Sequence, residues 1–327
     1  MDYLKCPTGY VKDAASTAAV SSACSSSHSE FAGSAKRAIA SGVHYVNLKS
    51  YVASWLNSGD AITSRRKLID CGEDGKVLTP LAQQTGICDG CSFGEAAFTA
   101  WCANYVTTGS GPKPVETAFI WPYLAGRYLP VTGYGDTGAC PPYSAQLYHD
   151  VGVLPVNCGG KFKFTDMPPH GPNSQESLCV QMRDNPRLLD EWIDSARGLE
   201  CRIFNPPDAW STADCITTQR PVTFGCGGQM VEASPGSDGV SRIYNLYGGH
   251  ETFAEGWFTL NGRLGFIKME SWWNANGYPG SNYQEHRVEI STDEGKKLLY
   301  PGQGAVWADE WFRWNPECWA LDAPGSR

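Results

Sequence analysis

The sequence predicts an α+β chain, with helices gathered in the N-terminal half and antiparallel strands in the C-terminal half. Three observations carry this. Residues 92–106 place Ala97, Ala100, Trp101, Asn104 and Tyr105 on one helical face. Residues 144–151 follow Pro141-Pro142, a helix-start signal, and read as a second helix. Runs at 220–224, 241–246, 250–257, 263–269 and 286–290 are rich in β-branched and aromatic residues and read as strands. Helices first and strands later imply segregated layers.

The remaining elements divide the chain into three stretches. Residues 1–66 read as an N-terminal extension. The first thirty are Ser/Ala-rich and weakly structured. Residues 31–56 carry helical spacing through Val46, Tyr51, Val52, Trp55 and Leu56, and Asn57-Ser58-Gly59-Asp60 closes the run in turn chemistry. Residues 67–290 form the main domain. Within it a Gly/Cys loop leads into the 92–106 helix, residues 152–190 are loop-rich, and 188–196 end in a short helix. Residues 291–327 are a Trp-rich C-terminal extension whose Trp307, Trp311, Phe312, Trp314 and Trp319 are expected in core or interface packing.

Composition removes several function classes. The 327 residues carry 26 Lys+Arg against 34 Asp+Glu, a formal charge of −8. Phosphate contacts need clustered cations, so a nucleic-acid face is not expected. No run approaches the roughly 18 apolar residues of a transmembrane helix. Lys5 and Lys12 precede an Ala/Ser/Thr stretch, but Asp2 and Asp13 sit among them and the stretch is not Leu-rich, so no signal peptide is expected. Localisation stays unassigned.

Thirteen cysteines are too many to pass over. The count is odd, so six bridges would leave one thiol as a candidate nucleophile. Cys88-Asp-Gly-Cys91 is the single CxxC, with no second pair to complete a tetrahedral site. Neither a metal nor another cofactor is expected.

The sharpest local signal is the run from Thr79 through Gln84 and Cys88-Asp89-Gly90-Cys91 to Phe98. A Gly-containing loop delivers Cys91 to the first turn of a helix, where the dipole favours a thiolate. A buried structural cysteine fits the same place, so both readings stand on this loop alone. The second signal is Tyr247-Gly-Gly-His250-Glu-Thr-Phe-Ala-Glu-Gly256-Trp257, where His250 opens a strand. The third is the strand ending Met269-Glu270-Ser271-Trp272-Trp273, which a strand–turn–strand pair would bring beside His250.

Taken together these segments resemble a papain-like cysteine peptidase over about residues 70–290. The family motif of Thr-Pro-Val, then Gln, then Cys-Gly-Ser-Cys-Trp-Ala-Phe is met by Thr79-Pro80-Leu81, Gln84 and Cys88-Asp89-Gly90-Cys91-Ser92-Phe93. His250 through Gly256-Trp257 matches the spacing of its His-Ala-Val-x-x-x-Gly-Tyr. Met269 through Trp273 matches its Lys-Asn-Ser-Trp-Gly. His250 lies 159 positions after Cys91, near the roughly 130–150 of such histidines. Arg220-Pro-Val also resembles a strand of papain-like proteins from phage structural gene clusters.

The resemblance implies a fold of two subdomains, helical then antiparallel β. It implies Cys91 as nucleophile, His250 as base, Glu270 as the imidazole's orienter, and Gln84 with the Cys91 N–H as the oxyanion hole. It implies a disulfide at Cys88, with Cys140 as the candidate partner. The chain departs from the pattern at several positions. Glu270 replaces Asn, Ser92 replaces Trp, and Gln84 stands seven rather than six residues before Cys91. Glu95 brings a negative charge one turn into the helix, and Glu251 follows the histidine where the family has Ala.

The function these residues imply is peptide-bond cleavage by a Cys-His(-Glu) mechanism, with a polypeptide as substrate. The alternative is a virion or assembly protein on the same fold with activity weak or lost. A peptidoglycan-cleaving thiol enzyme is a third reading. Residues 1–66 and the C-terminal Trp cluster are the expected contact surfaces for protein partners, unless the extension folds back over the Cys91 cleft as an inhibitory segment.

Overall fold

In the computed structural model of the chain the described residues are 14–27, 29–59, 66–79, 87–128, 139–158, 190–226, 230–232, 235–246, 250–269 and 287–327. Three short strands precede the sheet's centre in the chain: β1 (Tyr45–Asn47), β2 (Leu68–Asp70) and β3 (Lys76–Leu78). β4 (Ile203–Phe204), β5 (Val222–Cys226), β6 (Met230–Glu232) and β7 (Ile243–Leu246) lead to β8 (His250–Leu260), the longest strand described. Asn261-Gly262 turns it into β9 (Arg263–Met269), with φ of 52° and 75°. Both angles are positive, as the favoured hairpin turn requires.

β8 is the axis of a seven-stranded sheet. On one side it pairs with β9. On the other its first half pairs with β5 and its second half with β1. β10 (Glu289–Thr292) and β11 (Gly295–Leu298) form a separate hairpin. β12 (Gln303–Trp307) adds to β9, and β13 (Glu317–Leu321) lies between β5 and β4. All these pairings are antiparallel. The segments expected as N- and C-terminal extensions therefore both supply strands to the central sheet.

The helices are α1 (Ala14–Cys24), α2 (Ser34–Ala40), α3 (Lys49–Asn57), α4 (Cys88–Thr108), α5 (Ile120–Tyr128), α6 (Pro141–Asp150), α7 (Asp190–Ala196), α8 (Ala209–Thr217) and α9 (Ala308–Phe312). The helical spacing of residues 31–56 is interrupted by β1, because Tyr45-Val46-Asn47 finds an open edge of β8. The Ser/Ala-rich start carries α1, whose Val20 and Cys24 are buried in the same core as Cys91. The helix expected at 92–106 runs longer, and α4 is buried all round from Cys88 to Ala103 rather than on one face. It is wrapped by α3, α5 and β8, which is why its sequence lacks a polar stripe.

Gly90 and Gly94 set how closely α5 approaches α4. A Cβ on Gly90 would lie 2.2 Å from the Phe119 carbonyl oxygen, and Thr117 Oγ1 donates to the Gly94 carbonyl at 2.6 Å. Trp307, Trp311 and Trp319 are buried, and Trp311 stacks on Phe224 with centroids 4.1 Å apart. The expected Trp-rich surface is thus core packing, with Trp314 its exposed member.

Candidate active site

Cys91 is the fourth residue of α4, and its N–H donates to the Ile87 carbonyl at 3.0 Å. That hydrogen bond occupies the donor expected in an oxyanion hole. No side chain caps this helix end, and Asp89 is the acidic residue of its first turn. His250 is the first residue of β8 and faces Cys226 across the sheet in register. Both Cys91 and His250 are buried.

Main-chain and packing contacts join the two elements. The N–H of Glu251, the residue after His250, donates to Cys88 Sγ at 3.2 Å. Phe253 and Met269 pack in one cluster with Cys91. Met269 is the register partner of Phe253 and the last residue of β9. The three motif segments thus converge: the start of α4, the start of β8 and the end of β9. Gln84 and Glu270 themselves lie outside the described residues.

Glu95 was the charge most at odds with a thiolate. It is buried and paired with Arg66 at 2.6 Å and with Lys49 at 3.8 Å. Arg66 also grips Glu116 at 2.6 Å. Burial alone would lower the Arg66 pKa; Glu116, Glu95 and Cys91 more than reverse that and raise it. Gln303 Nε2 donates to Glu255 at 2.6 Å, and burial raises the Glu255 carboxyl against the pull of Lys49.

The expected Cys88–Cys140 disulfide is absent. Neither cysteine is disulfide-bonded, nor are the other eight whose side chains are described. Cys88 sulfur instead accepts the Glu251 N–H, and burial raises its thiol pKa well above the usual value. A buried, protonated thiol is a poor partner for exchange.

Two acidic residues that sequence reasoning left without a role stand at the same seam. Asp89 and Glu251 are fully buried, with Asp89 Oδ1 and both Glu251 oxygens lacking a donor among the described residues, and each carboxyl acts on the other. Glu251 was visible as the departure after His250, Asp89 gave no signal, and nothing in either strand or helix spacing pairs them. Away from the seam, Cys24, His149 and Asp150 bring a sulfur, a nitrogen and an oxygen within 4.8 Å of one another. Arg327 Nη1 lies 3.4 Å from Asp150 Oδ1 there, a cation already present where a metal ion would be repelled.

Among solved structures, xylellain, a cysteine protease from Xylella fastidiosa, is 14% identical with a TM-score of 0.51, covering 98% of this chain and 97% of its own. The fold is that of the papain-like cysteine proteases. Procathepsin B S9 from Trypanosoma congolense matches over 75% of this chain and 71% of its own, at 12% identity and a TM-score of 0.44. Bromelain from Ananas comosus matches over 86% of this chain and 99% of its own, at 12% identity and a TM-score of 0.43. No protein-family model matches the sequence, and no curated protein does. The papain-like fold accounts for the order of the described elements, with α4 and the helices around it ahead of the antiparallel sheet.

Proposed function

We propose that the chain is a cysteine peptidase that cleaves polypeptides, with Cys91 as nucleophile and His250 as its base. The observation that carries this reading is the seam between α4 and β8, where the Glu251 N–H meets Cys88 Sγ. It brings the turn that holds Cys91 against the strand that His250 opens, in a papain-like fold.

In the proposed reaction Cys91 gives its proton to His250, and the thiolate attacks the carbonyl carbon of the scissile bond. A C–S bond forms and the carbonyl electron pair moves to oxygen. The intermediate collapses, the C–N bond breaks, and the imidazolium protonates the departing amine. Water, giving a proton to His250, then attacks the thioester and releases the acid and the thiol. The helix end favours negative charge at Cys91. Glu270, directly after β9, is the proposed orienter of His250, where a carboxylate favours the imidazolium more than an amide does. Gln84 is the proposed oxyanion donor.

The test is cleavage of unfolded casein by the full-length chain, with and without a thiol-directed epoxide. The reading predicts cleavage that the epoxide abolishes and that C91A lacks. A folded chain that cleaves nothing while binding other proteins supports the assembly alternative instead. Association through residues 1–66 has less to stand on, since Phe31, Leu48, Val52, Trp55 and Leu56 are buried against the same chain.

A further inference from the structure

Two carboxyls with no salt bridge among the described residues stand where α4 meets β8. Asp89 is two residues before Cys91, and Glu251 is the residue after His250. Both side chains are fully buried, Asp89 Oδ1 and both Glu251 oxygens lack a donor among the described residues, and the two carboxyls act directly on each other. Two carboxylates offer only acceptors, so a hydrogen bond between them requires a hydrogen on one of them. The neighbourhood supplies none to spare. Beyond the Thr223 hydroxyl that faces Glu251, Asp89 Oδ1 and both Glu251 oxygens have no donor among the described residues. Ser144 Oγ lies 2.6 Å from Asp89 Oδ2 and also 2.8 Å from the Pro122 carbonyl, with one hydrogen for both.

We propose that Asp89 and Glu251 are positioning residues: one proton shared between them fastens the helix that carries Cys91 to the strand that carries His250. The inference rests on the peptidase reading for its catalytic consequence, though not for the shared proton itself. Two like charges in contact cannot both ionise in a dry interior. The other titratable groups that face the pair are Cys88 from α4, Tyr148 from α6 and Glu317 from β13. Glu317 is held by Thr17 at 2.7 Å and by Trp319 Nε1 at 3.2 Å, and its charge adds to the case for keeping the proton. Burial pushes Asp89 up to about 7 and raises Glu251 well above the carboxylate range.

The sign of the pH dependence follows. Below the ordinary Asp value of 3.8 both folded and unfolded chains hold the proton, and the pair's contribution is complete. As pH rises the unfolded chain loses its proton first, so stability falls until the folded pair titrates, from about 4 to about 7 for Asp89. An amide carries its hydrogen at every pH. D89N and E251Q therefore keep the bond and flatten that fall.

The experiment compares the full-length wild type with D89N, E251Q and E251L. The readouts are Tm against pH, the rate of Cys91 alkylation by iodoacetamide, and kcat and KM on a casein peptide. The wild-type Tm should fall across this window more steeply than those of D89N and E251Q. E251L, which cannot make the bond, should lose about tenfold or more in kcat and in Cys91 alkylation, with KM little changed. E251Q should restore most of that loss. Parallel Tm curves for wild type, D89N and E251Q overturn the shared proton. A folded E251L with wild-type alkylation and kcat overturns the positioning role. If E251L does not fold, D89N and E251Q decide by their Tm curves alone. A wild type that cleaves no peptide counts against the peptidase reading only, because the Tm and alkylation arms need no substrate.

Discussion

The main-chain N–H of Glu251 donates to the sulfur of Cys88 across 3.2 Å, and this bond joins the start of α4 to the start of β8. Cys88 is one turn before Cys91, and Glu251 is one residue after His250. A thiol in this role is a hydrogen-bond acceptor and a filler of space rather than half of a disulfide. C88A should lower stability without any requirement for oxidising conditions. The Tm of the wild type and of C140A should respond alike to a reductant such as dithiothreitol. A loss of several degrees on reduction that C140A removes would show a bridge at Cys140.

Gly90 fixes the distance between α4 and α5. G90A would set a methyl 2.2 Å from the Phe119 carbonyl oxygen and 2.9 Å from Tyr123 Cβ. Backbone has to give way, at about 1–3 kcal/mol for such overpacking. Urea unfolding should show the lower midpoint with the slope unchanged. Because the shift displaces the turn that holds Cys91, alkylation of Cys91 should slow as well.

Arg66 bridges two buried carboxylates at once. R66M leaves Glu116 without its cation and Glu95 with Lys49 alone, and breaking a buried ion pair this way costs about 3–5 kcal/mol. Adding E95Q and E116Q to R66M should recover much of the lost stability, since a neutral trio avoids stranded charge. Denaturant midpoints of the single and triple variants measure this. Equal loss in both would mean that packing of the Arg66 stem, not its charge, is what counts.

Glu255 gives a second pH test. Burial raises its carboxyl above 4.5, with Lys49, Gln303 and Thr99 opposing. A raised acid is fully stabilising below its unfolded value, and that contribution is lost as pH rises through the folded value. E255Q keeps a carbonyl for the Gln303 amide and should remove that part of the fall. Tm measured from pH 4 upward should diverge in favour of E255Q as pH increases.

Much of the fold was legible because its signals are local. The β9 strand at 263–269 was readable in full, since Asn261-Gly262 precedes it and its residues are β-formers. Cys91 and His250 were legible as chemistry-bearing residues placed at the openings of a helix and a strand. What stayed hidden depends on distant partners. β1 reads as helix in isolation and becomes a strand because β8 offers an edge. Glu95 reads as an obstacle until Arg66 and Lys49 close on it from other elements. Asp89 and Glu251 are 162 positions apart, and no sequence spacing announces that they meet.

The measurement closest to the central claim is the pH dependence of Cys91 alkylation in the wild type and in H250A, followed residue by residue by mass spectrometry. A thiolate–imidazolium pair predicts that Cys91 reacts faster than every other cysteine already at mildly acidic pH. H250A should abolish that acidic reactivity and leave only a rise toward the free-thiol value of about 8.5. Wild-type and H250A curves that coincide, both rising only near that value, would contradict the assignment of Cys91 and His250 as a catalytic pair.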